Sequence, residues 1–383
     1  MKAGLLGRTL GHSLSPQIHK FFGDYEYRLY EKEPEEVEGF LRAGFANGDF
    51  DFLNVTIPYK QAVFALCDEL SPMARKLGNV NFVMRGADGK LCGDNTDAFG
   101  VERLLAANGI DVQNWNCAIL GAGGAAMTVK AVLEERGAKR VTFVRRGENP
   151  AQDDDLIVNA TPVGMWPHTD EVRVRMTDFP RCRAVLDLVY NPSPTRLVRE
   201  ALACGKIAAD GMVMLIAQAY RASRLVPSAQ CLVPSAGRST LFLYGAPASG
   251  KSTWAKRFAA STGRTLIDLD AEIVKAEGRS IPEIFAAEGE KGFRTIEARE
   301  LKRVAGGTGQ VVALGGGALL DSENRKVAEA SGRVVVLDCP IETLKARITG
   351  GGRPLSADAA KLEALVKSRA AHYASFPNHV EMV

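Results

Sequence analysis

Two successive α/β units, each built on a mostly parallel sheet, are what the sequence predicts, and three observations predict them. Short apolar, β-rich runs alternate with helix-length segments along the chain. A G-x-G-x-x-A turn beginning at Gly121 follows one such run. A G-x-x-x-x-G-K-S loop beginning at Gly245 follows another. The length of 383 residues fits this division, since domains average roughly 150 residues.

Composition excludes several classes. With 46% hydrophobic and 24% charged residues the chain is not broadly disordered. A formal charge of +3 is too mild for a protein that binds nucleic acid or an anionic membrane by charge, so neither partner is expected. No apolar run approaches the ~18 residues of a spanning helix. The opening Met1–Leu10 resembles a signal peptide only faintly, because Arg8 and His12 cut its apolar stretch short. The seven cysteines (Cys67, Cys92, Cys117, Cys182, Cys204, Cys231 and Cys339) are odd in number, scattered and without a CxxC pair. They read as reduced thiols in a cytoplasmic protein, not as a disulfide framework or a zinc site.

The expected strands, in order, are Ala3–Gly7, Phe52–Thr56, Asn116–Gly121, Val141–Arg145, Leu156–Ala160, Ala184–Leu188 and Ile207–Asp210 upstream. Downstream they are Leu241–Tyr244, Thr265–Asp270, Val311–Leu314 and Val334–Leu337. Between the two sets lies Val226–Ser239, with two Val-Pro-Ser steps and few apolar anchors. Proline disfavours helix before it, and Ser and Gly add turn tendency. The units are therefore set at 1–227 and 239–383, with 228–238 as linker.

In the upstream unit Gly121 permits a tight turn, Gly123 lets backbone approach a pyrophosphate, and Ala126 allows close helix packing; Ala122, Gly124 and Ala125 complete the loop. The next strand ends in Arg145-Arg146, where an NAD site usually carries an acid. Two guanidiniums there suit the 2′-phosphate of NADP(H). Three polar clusters surround this unit. Ser13 and Ser15 stand two residues apart, on one side if the chain is extended, Thr56 and Lys60 follow an apolar strand, and Asp97 precedes a helix. Singly, each fits an ordinary cap or turn, Asp97 as an N-cap and Ser15 in a Ser/Thr turn.

Together, the segments GHSLSPQIH, NVTIPYK, GNVNFV, GDNTDAFG, GAGGAA, NATPVGM, DLVYNPSPT and DGMVMLIAQA resemble shikimate dehydrogenase, in that family's order, over residues 1–225. The resemblance implies a two-part α/β fold, a substrate and catalytic part at 1–98 and about 207–227, and a Rossmann NADP-binding part at 99–206. It implies Lys60 and Asp97 as the catalytic pair, with Ser13, Ser15, Thr56, Asn81 and Gln218 holding 3-dehydroshikimate or shikimate. Leu188, Tyr190 and Gly211 would lie near the nicotinamide. One departure is plain. Only nine residues separate Arg146 from the strand at Leu156, so the Rossmann half is expected to lack an edge βα unit, leaving the adenine side of the pocket altered.

In the downstream loop, backbone N–H groups would cradle phosphates, Lys251 would reach the β/γ-phosphates of ATP, and Ser252 would ligate Mg2+. Asp268 and Asp270 end the next strand, on one side of an extended chain, as a metal-shell acid and an acceptor-hydroxyl base. Arg294 offers a guanidinium to a carboxylate, Gly315, Gly316 and Gly317 present bare backbone, and Arg353 follows a Gly-rich stretch suited to a lid. Arg369 sits on a late helix.

The set GAPASGKST, DLD, GEKGFR, GGG, GRPL and SRAAHY resembles shikimate kinase over residue 238 to about 380. The resemblance implies a P-loop α/β/α domain with a central parallel sheet. ATP would be bound by Ala248, Ser249, Gly250, Lys251, Ser252, Thr253 and Arg353. Mg2+ would be held by Ser252 and Asp268, and shikimate by Asp270, Arg294, the three glycines and Arg369. Ala248 stands where that family usually shows Gly. Only 14 residues follow Arg369, so the final strand is expected to be barely present and the adenine side shortened.

The combined expectation is a bifunctional enzyme, monomeric or homodimeric, for two consecutive steps on one small carboxylate. The alternatives are a sensor of shikimate or quinate that keeps the folds and loses the chemistry, a fusion with one impaired half, or a quinate dehydrogenase joined to another kinase.

Overall fold

This computed structural model describes residues 1–11, 13–226, 240–347 and 359–381. The chain divides into two compact units, one comprising Met1–His19, Tyr25–Ala229 and Ala260–Thr262, the other Lys20–Asp24, Gln230–Ala259 and Gly263–Val383. The linker 228–238 and Arg353 lie outside the described residues.

The first unit holds two sheets. Strands β1 (Lys2–Gly7), β2 (Glu26–Glu31), β3 (Phe52–Val55), β4 (Glu69–Leu70), β5 (Phe82–Arg85) and β6 (Leu91–Asp94) pair in the order β2-β1-β3-β5-β6-β4. The expected mostly parallel pairing holds at β1–β2, β1–β3 and β4–β6, with an exception at β5. β5 runs antiparallel to both β3 and β6, closing a hairpin through Gly86 and Gly89. Such a hairpin needs no crossover helix, so it left no alternation of strand and helix to read. β3 is buried at all four positions, and Leu41, Leu53, Val63 and Val83 pack on one face of the sheet.

The second sheet of this unit comprises β7 (Asn116–Leu120), β8 (Arg140–Val144), β9 (Leu156–Asn159), β10 (Ala184–Asp187) and β11 (Ile207–Ala209) in the order β11-β10-β9-β7-β8, all parallel. β9 and β10 are buried along their full length, as strands covered on both faces by crossovers must be. Residues 145–155 form neither helix nor strand, so β8 ends the sheet, in keeping with the expected trimmed edge.

The second unit is built on β12 (Thr240–Tyr244), β13 (Thr265–Asp268), β14 (Gln310–Ala313), β15 (Gly332–Asp338) and β16 (His379–Glu381), ordered β13-β14-β12-β15-β16 and all parallel. β12 is central and wholly buried, with Phe242 and Tyr244 fully enclosed. Each such side chain contributes about 2 kcal/mol of apolar burial. The final strand is present at three residues and pairs with β15 at Val336, Leu337 and Asp338.

Candidate active sites

The central pair of the first site sits where strands hand over to helices, whereas Gln218 lies inside the helix Met212–Leu225. Lys60 opens the helix Lys60–Leu66 soon after β3, and Asp97 opens Asp97–Ala107 soon after β6. Asp97 is not the N-cap; Thr96 is. That frees the Asp97 carboxylate, and Lys60 Nζ donates to its Oδ2 at 2.5 Å, with side-chain exposures of 15% and 9%. The other oxygen, Oδ1, accepts from Asn81 Nδ2 at 2.7 Å, and Asn81 Oδ1 accepts from the Thr96 amide at 2.6 Å. Asn95 Oδ1 accepts from the Asp97 amide at 3.0 Å, and Asn79 Oδ1 accepts from Asn95 Nδ2 at 2.7 Å. Both carboxylate oxygens and the backbone amide of Asp97 are thus engaged, and the carboxylate presents the ammonium in one position.

The pair borders a cavity of about 580 Å³. Ser13, Ser15, Thr56, Asn81 and Gln218 line it, together with Ala122, Gly123, Gly124, Ala125, Leu188, Tyr190 and Gly211. The two serines do not reach it from an extended chain. The Ser13 amide donates to Leu10 O at 2.9 Å in a turn, Ser13 Oγ accepts from the Ser15 amide at 3.2 Å, and Ser15 opens a short helix. Local hydroxyl-to-backbone bonding outcompetes extension at such a site. Ser13 also bonds the Tyr190 hydroxyl, whose ionisation burial pushes up, and Ser15 bonds that of Tyr27.

The dinucleotide turn fits its group. Gly121 has φ 103, which few other residues would adopt. A Cβ added at Gly123 would meet nothing within 4 Å, so its missing side chain is not explained by protein packing and leaves backbone open to a ligand. Ala126, in the first turn of the helix Gly124–Glu135, is fully buried. At Gly211 a Cβ would come within 2.2 Å of Leu188 O, which brings these two cavity-lining residues together. Gly121 and Ala122 also line an open basin of about 760 Å³ with Arg145, Arg146, Thr161, Val163, Glu171, Val172 and Arg173.

Asn54 was not singled out from sequence, yet it lines the cavity, accepts from Tyr27 Oη at 3.0 Å and points its amide at Gln218 Oε1 at 3.5 Å. Its signal was present: one amide inside the otherwise apolar Phe52–Val55. Arg173 carried no local signal at all.

In the second unit the loop after β12 wraps its own lysine. Lys251 Nζ, 6% exposed, donates to Gly245 O at 2.9 Å and Ala246 O at 2.6 Å. Gly245 and Gly250 have φ 129 and 91, and Ala248 adopts φ 62, which explains why a glycine would be at ease there. Ser249 is buried, and Thr253 lies in the first turn of the helix Lys251–Thr262. Ser252 Oγ donates to Asp268 Oδ2 at 2.9 Å, a hydroxyl–carboxylate pair that fits a hard, largely hydrated cation.

The expected extended Asp268-Leu269-Asp270 is corrected. Asp268 caps the helix Leu269–Glu277, its Oδ1 accepting from the Asp270 and Ala271 amides at 3.1 and 3.4 Å, so the two carboxylates do not share one side of a strand. An aspartate ahead of a helical run satisfies amides that an extended continuation would leave for water.

Asp270 still faces the glycine run: a Cβ on Gly315 would lie 3.4 Å from Asp270 Oδ1 and 2.9 Å from Glu297 Oε1. A Cβ on Gly317 would meet Arg294 Nη2 at 2.7 Å. Arg369 Nη1 and Tyr373 Oη donate to Gly316 O at 3.1 and 2.7 Å. Arg294, Asp270 and Arg369 are therefore drawn around one glycine turn. Glu297, buried and accepting from Arg294 Nη1 at 2.6 Å, was missed although its i,i+3 spacing was readable. Arg347 was missed too; its Nη1 lies 3.7 Å from where a Cβ on Gly250 would be.

A nicotinamide-nucleotide oxidoreductase followed by a P-loop phosphotransferase is the class these folds and sites define. The chain belongs to the shikimate dehydrogenase family. The model of the family described as shikimate dehydrogenase substrate binding domain matches residues 5–83, and that described as shikimate kinase matches residues 247–382. The shikimate dehydrogenase (NADP(+)) of Methanopyrus kandleri is 38% identical over 258 residues, covering 58% of this chain and 88% of that protein. That of Clostridium beijerinckii is 34% identical over 245 residues and covered over 90% of its length. The solved structure of shikimate 5-dehydrogenase from Thermus thermophilus, in complex with NADP(H) and shikimate, is similar at TM-score 0.54 and 33% identity, over 60% of this chain and 94% of that one. A chorismate mutase/shikimate 5-dehydrogenase fusion from Clostridium acetobutylicum is similar at TM-score 0.56 and 31% identity, over 59% and 91%.

Proposed function

We propose that the chain performs two consecutive reactions, reduction of 3-dehydroshikimate to shikimate with NADPH and phosphorylation of shikimate by ATP. The observation that carries this reading is the Lys60–Asp97 ion pair in a cavity that the dinucleotide turn also lines, a Cβ on Gly124 lying 4.0 Å from Lys60 Cδ. When bound, NADPH supplies the hydride. Lys60 Nζ then hydrogen-bonds the carbonyl oxygen on which negative charge builds and delivers it a proton, while Asp97 holds the ammonium in place. Ser13, Ser15, Thr56 and Gln218 orient the carboxylate and hydroxyls. Asn81 acts mainly as a strut, since its amide already donates to Asp97 and Thr96.

In the second unit Arg294, Arg369 and the 315–317 glycines hold shikimate with its hydroxyl toward Asp270, which accepts the proton. Ala248 to Thr253 cradle the nucleotide, with Lys251 on its terminal phosphates. Ser252 and Asp268 hold Mg2+, which neutralises phosphate charge when bound. We assign residues 1–227 to the first activity and 239–383 to the second, in a cytoplasmic enzyme.

A single assay with 3-dehydroshikimate, NADPH, ATP and Mg2+ tests the whole. Lys251→Ala is expected to stop at shikimate. Lys60→Ala is expected to consume little NADPH yet phosphorylate added shikimate. Phosphorylated product from Lys251→Ala would remove the kinase assignment.

A further inference from the structure

We propose that Arg173 is a third determinant of NADP specificity, supplying the 2′-phosphate site with a guanidinium from outside the strand that normally defines it. The proposal rests on the dehydrogenase reading above and concerns residues that reading leaves without a role.

The 580 Å³ cavity and the 760 Å³ basin share Ala122. A dinucleotide whose nicotinamide end lies by Leu188 and Tyr190, and whose pyrophosphate lies on the turn, has its adenosine ribose in the basin. Arg145, Arg146 and Arg173 all line it. The first two come from the end of β8. The third comes from the segment between β9 and β10, 28 residues after Arg145, where Arg173 Nη2 donates to Arg145 O at 2.9 Å. This bond anchors Arg173 at the strand end. One guanidinium has five N–H donors, so others remain for a ligand.

Two further observations favour a phosphate over a ribose hydroxyl. Among the residues lining the basin, three cations face one carboxylate, Glu171, so the balance favours a dianion. The acid nearest the strand end in sequence, Glu148, already accepts from the Arg145 amide at 2.7 Å and is thereby drawn into the turn. Residues 145–155 form no helix, so the rim is provided instead by Val172 and Arg173. Trimming the sheet edge and recruiting Arg173 are two sides of one change.

Equilibrium binding to the full chain tests this, using NADPH and NADH, and 2′,5′-ADP against 5′-AMP. Arg173→Ala is expected to weaken NADPH and 2′,5′-ADP about tenfold, the scale of one charge-assisted contact at a partly exposed site. NADH and 5′-AMP should bind as before, which also reports an intact fold. Arg173→Lys should fall between. Equal weakening of NADPH and NADH would overturn the proposal, because Arg173 would then only clamp the Arg145 carbonyl. So would unchanged binding of all four. A wild-type chain that binds NADPH no tighter than NADH would overturn the NADP reading itself, whereas a preference for NADPH that survives Arg173→Ala would overturn only this proposal.

Discussion

The two lysines at the centre of the two sites are held in opposite ways. Lys60 is paired with a carboxylate at the edge of an open cavity, and that carboxylate is fixed by Asn81, with Asn95 holding the Asp97 amide. Lys251 donates instead to the carbonyls of its own loop, Gly245 and Ala246. The first arrangement is fixed by protein groups alone, which is what stabilising a developing oxyanion requires. The second keeps a buried ammonium satisfied by neutral dipoles that a polyphosphate, with far more charge, readily displaces. One site is ready; the other is waiting.

The largest test of this contrast is Asp97→Asn. With its carboxylate partner gone, Lys60 is no longer held in one position, and NADPH-dependent reduction is expected to fall about a thousandfold. Phosphorylation of added shikimate should not change. If both rates fall together, the halves are not energetically separate and the contrast fails.

A smaller effect concerns pH. Burial pushes the Asp187 carboxyl up to about 6, from an ordinary value of 3.8, against hydrogen bonds from Thr195, Val189 and Asn159 that pull it down. The folded state therefore binds this proton more tightly than the unfolded one, so stability declines as pH rises from about 4 to 6 and the deficit persists above 6. Relative to Asp187→Asn, the wild-type first unit should lose roughly 2 kcal/mol between pH 4 and 7. Urea midpoints at the two pH values measure it, and parallel profiles for the two proteins would refute it.

The smallest effect lies in the waiting site. Ala248 occupies left-handed backbone at φ 62, which costs a non-glycine residue roughly 1–2 kcal/mol. Glycine would remove that strain but add chain entropy of roughly 0.5–1 kcal/mol on unfolding. Ala248→Gly should thus raise the thermal midpoint of the second unit slightly and leave the first unchanged. A lowered midpoint would show that Ala248 contributes packing that outweighs its strain.

What could be read from sequence followed burial. Runs such as Leu241–Tyr244 and Leu156–Asn159 are covered on both faces, so apolar content alone marks them. β2, Glu-Tyr-Arg-Leu-Tyr-Glu, is an edge strand with no fully buried position and escaped notice. The clusters around Lys60 and Lys251 were legible because loop chemistry is local: a glycine, a cap and a charge within a few residues. Asp268 and Asp270 show the limit of that locality, since whether a strand continues or a helix starts decides which way two carboxylates face. Arg173 shows another limit, because its partner lies 28 residues away and only folding brings them together.

The trimmed second sheet has a cost of a different kind. With residues 145–155 irregular, β8 offers one side of its backbone ladder to no neighbour among the described residues. An open, flat, apolar edge is a template for another chain to pair with. β8 is open but short and charged at its ends: it is five residues long, only Val144 in it is buried, and Arg140 at its start is ion-paired to Asp153 and Asp154. Arg145 and Arg146 follow directly. The same arginines that face the nucleotide basin therefore act as gatekeepers against self-association, and replacing them to change cofactor preference would put solubility at stake together with specificity.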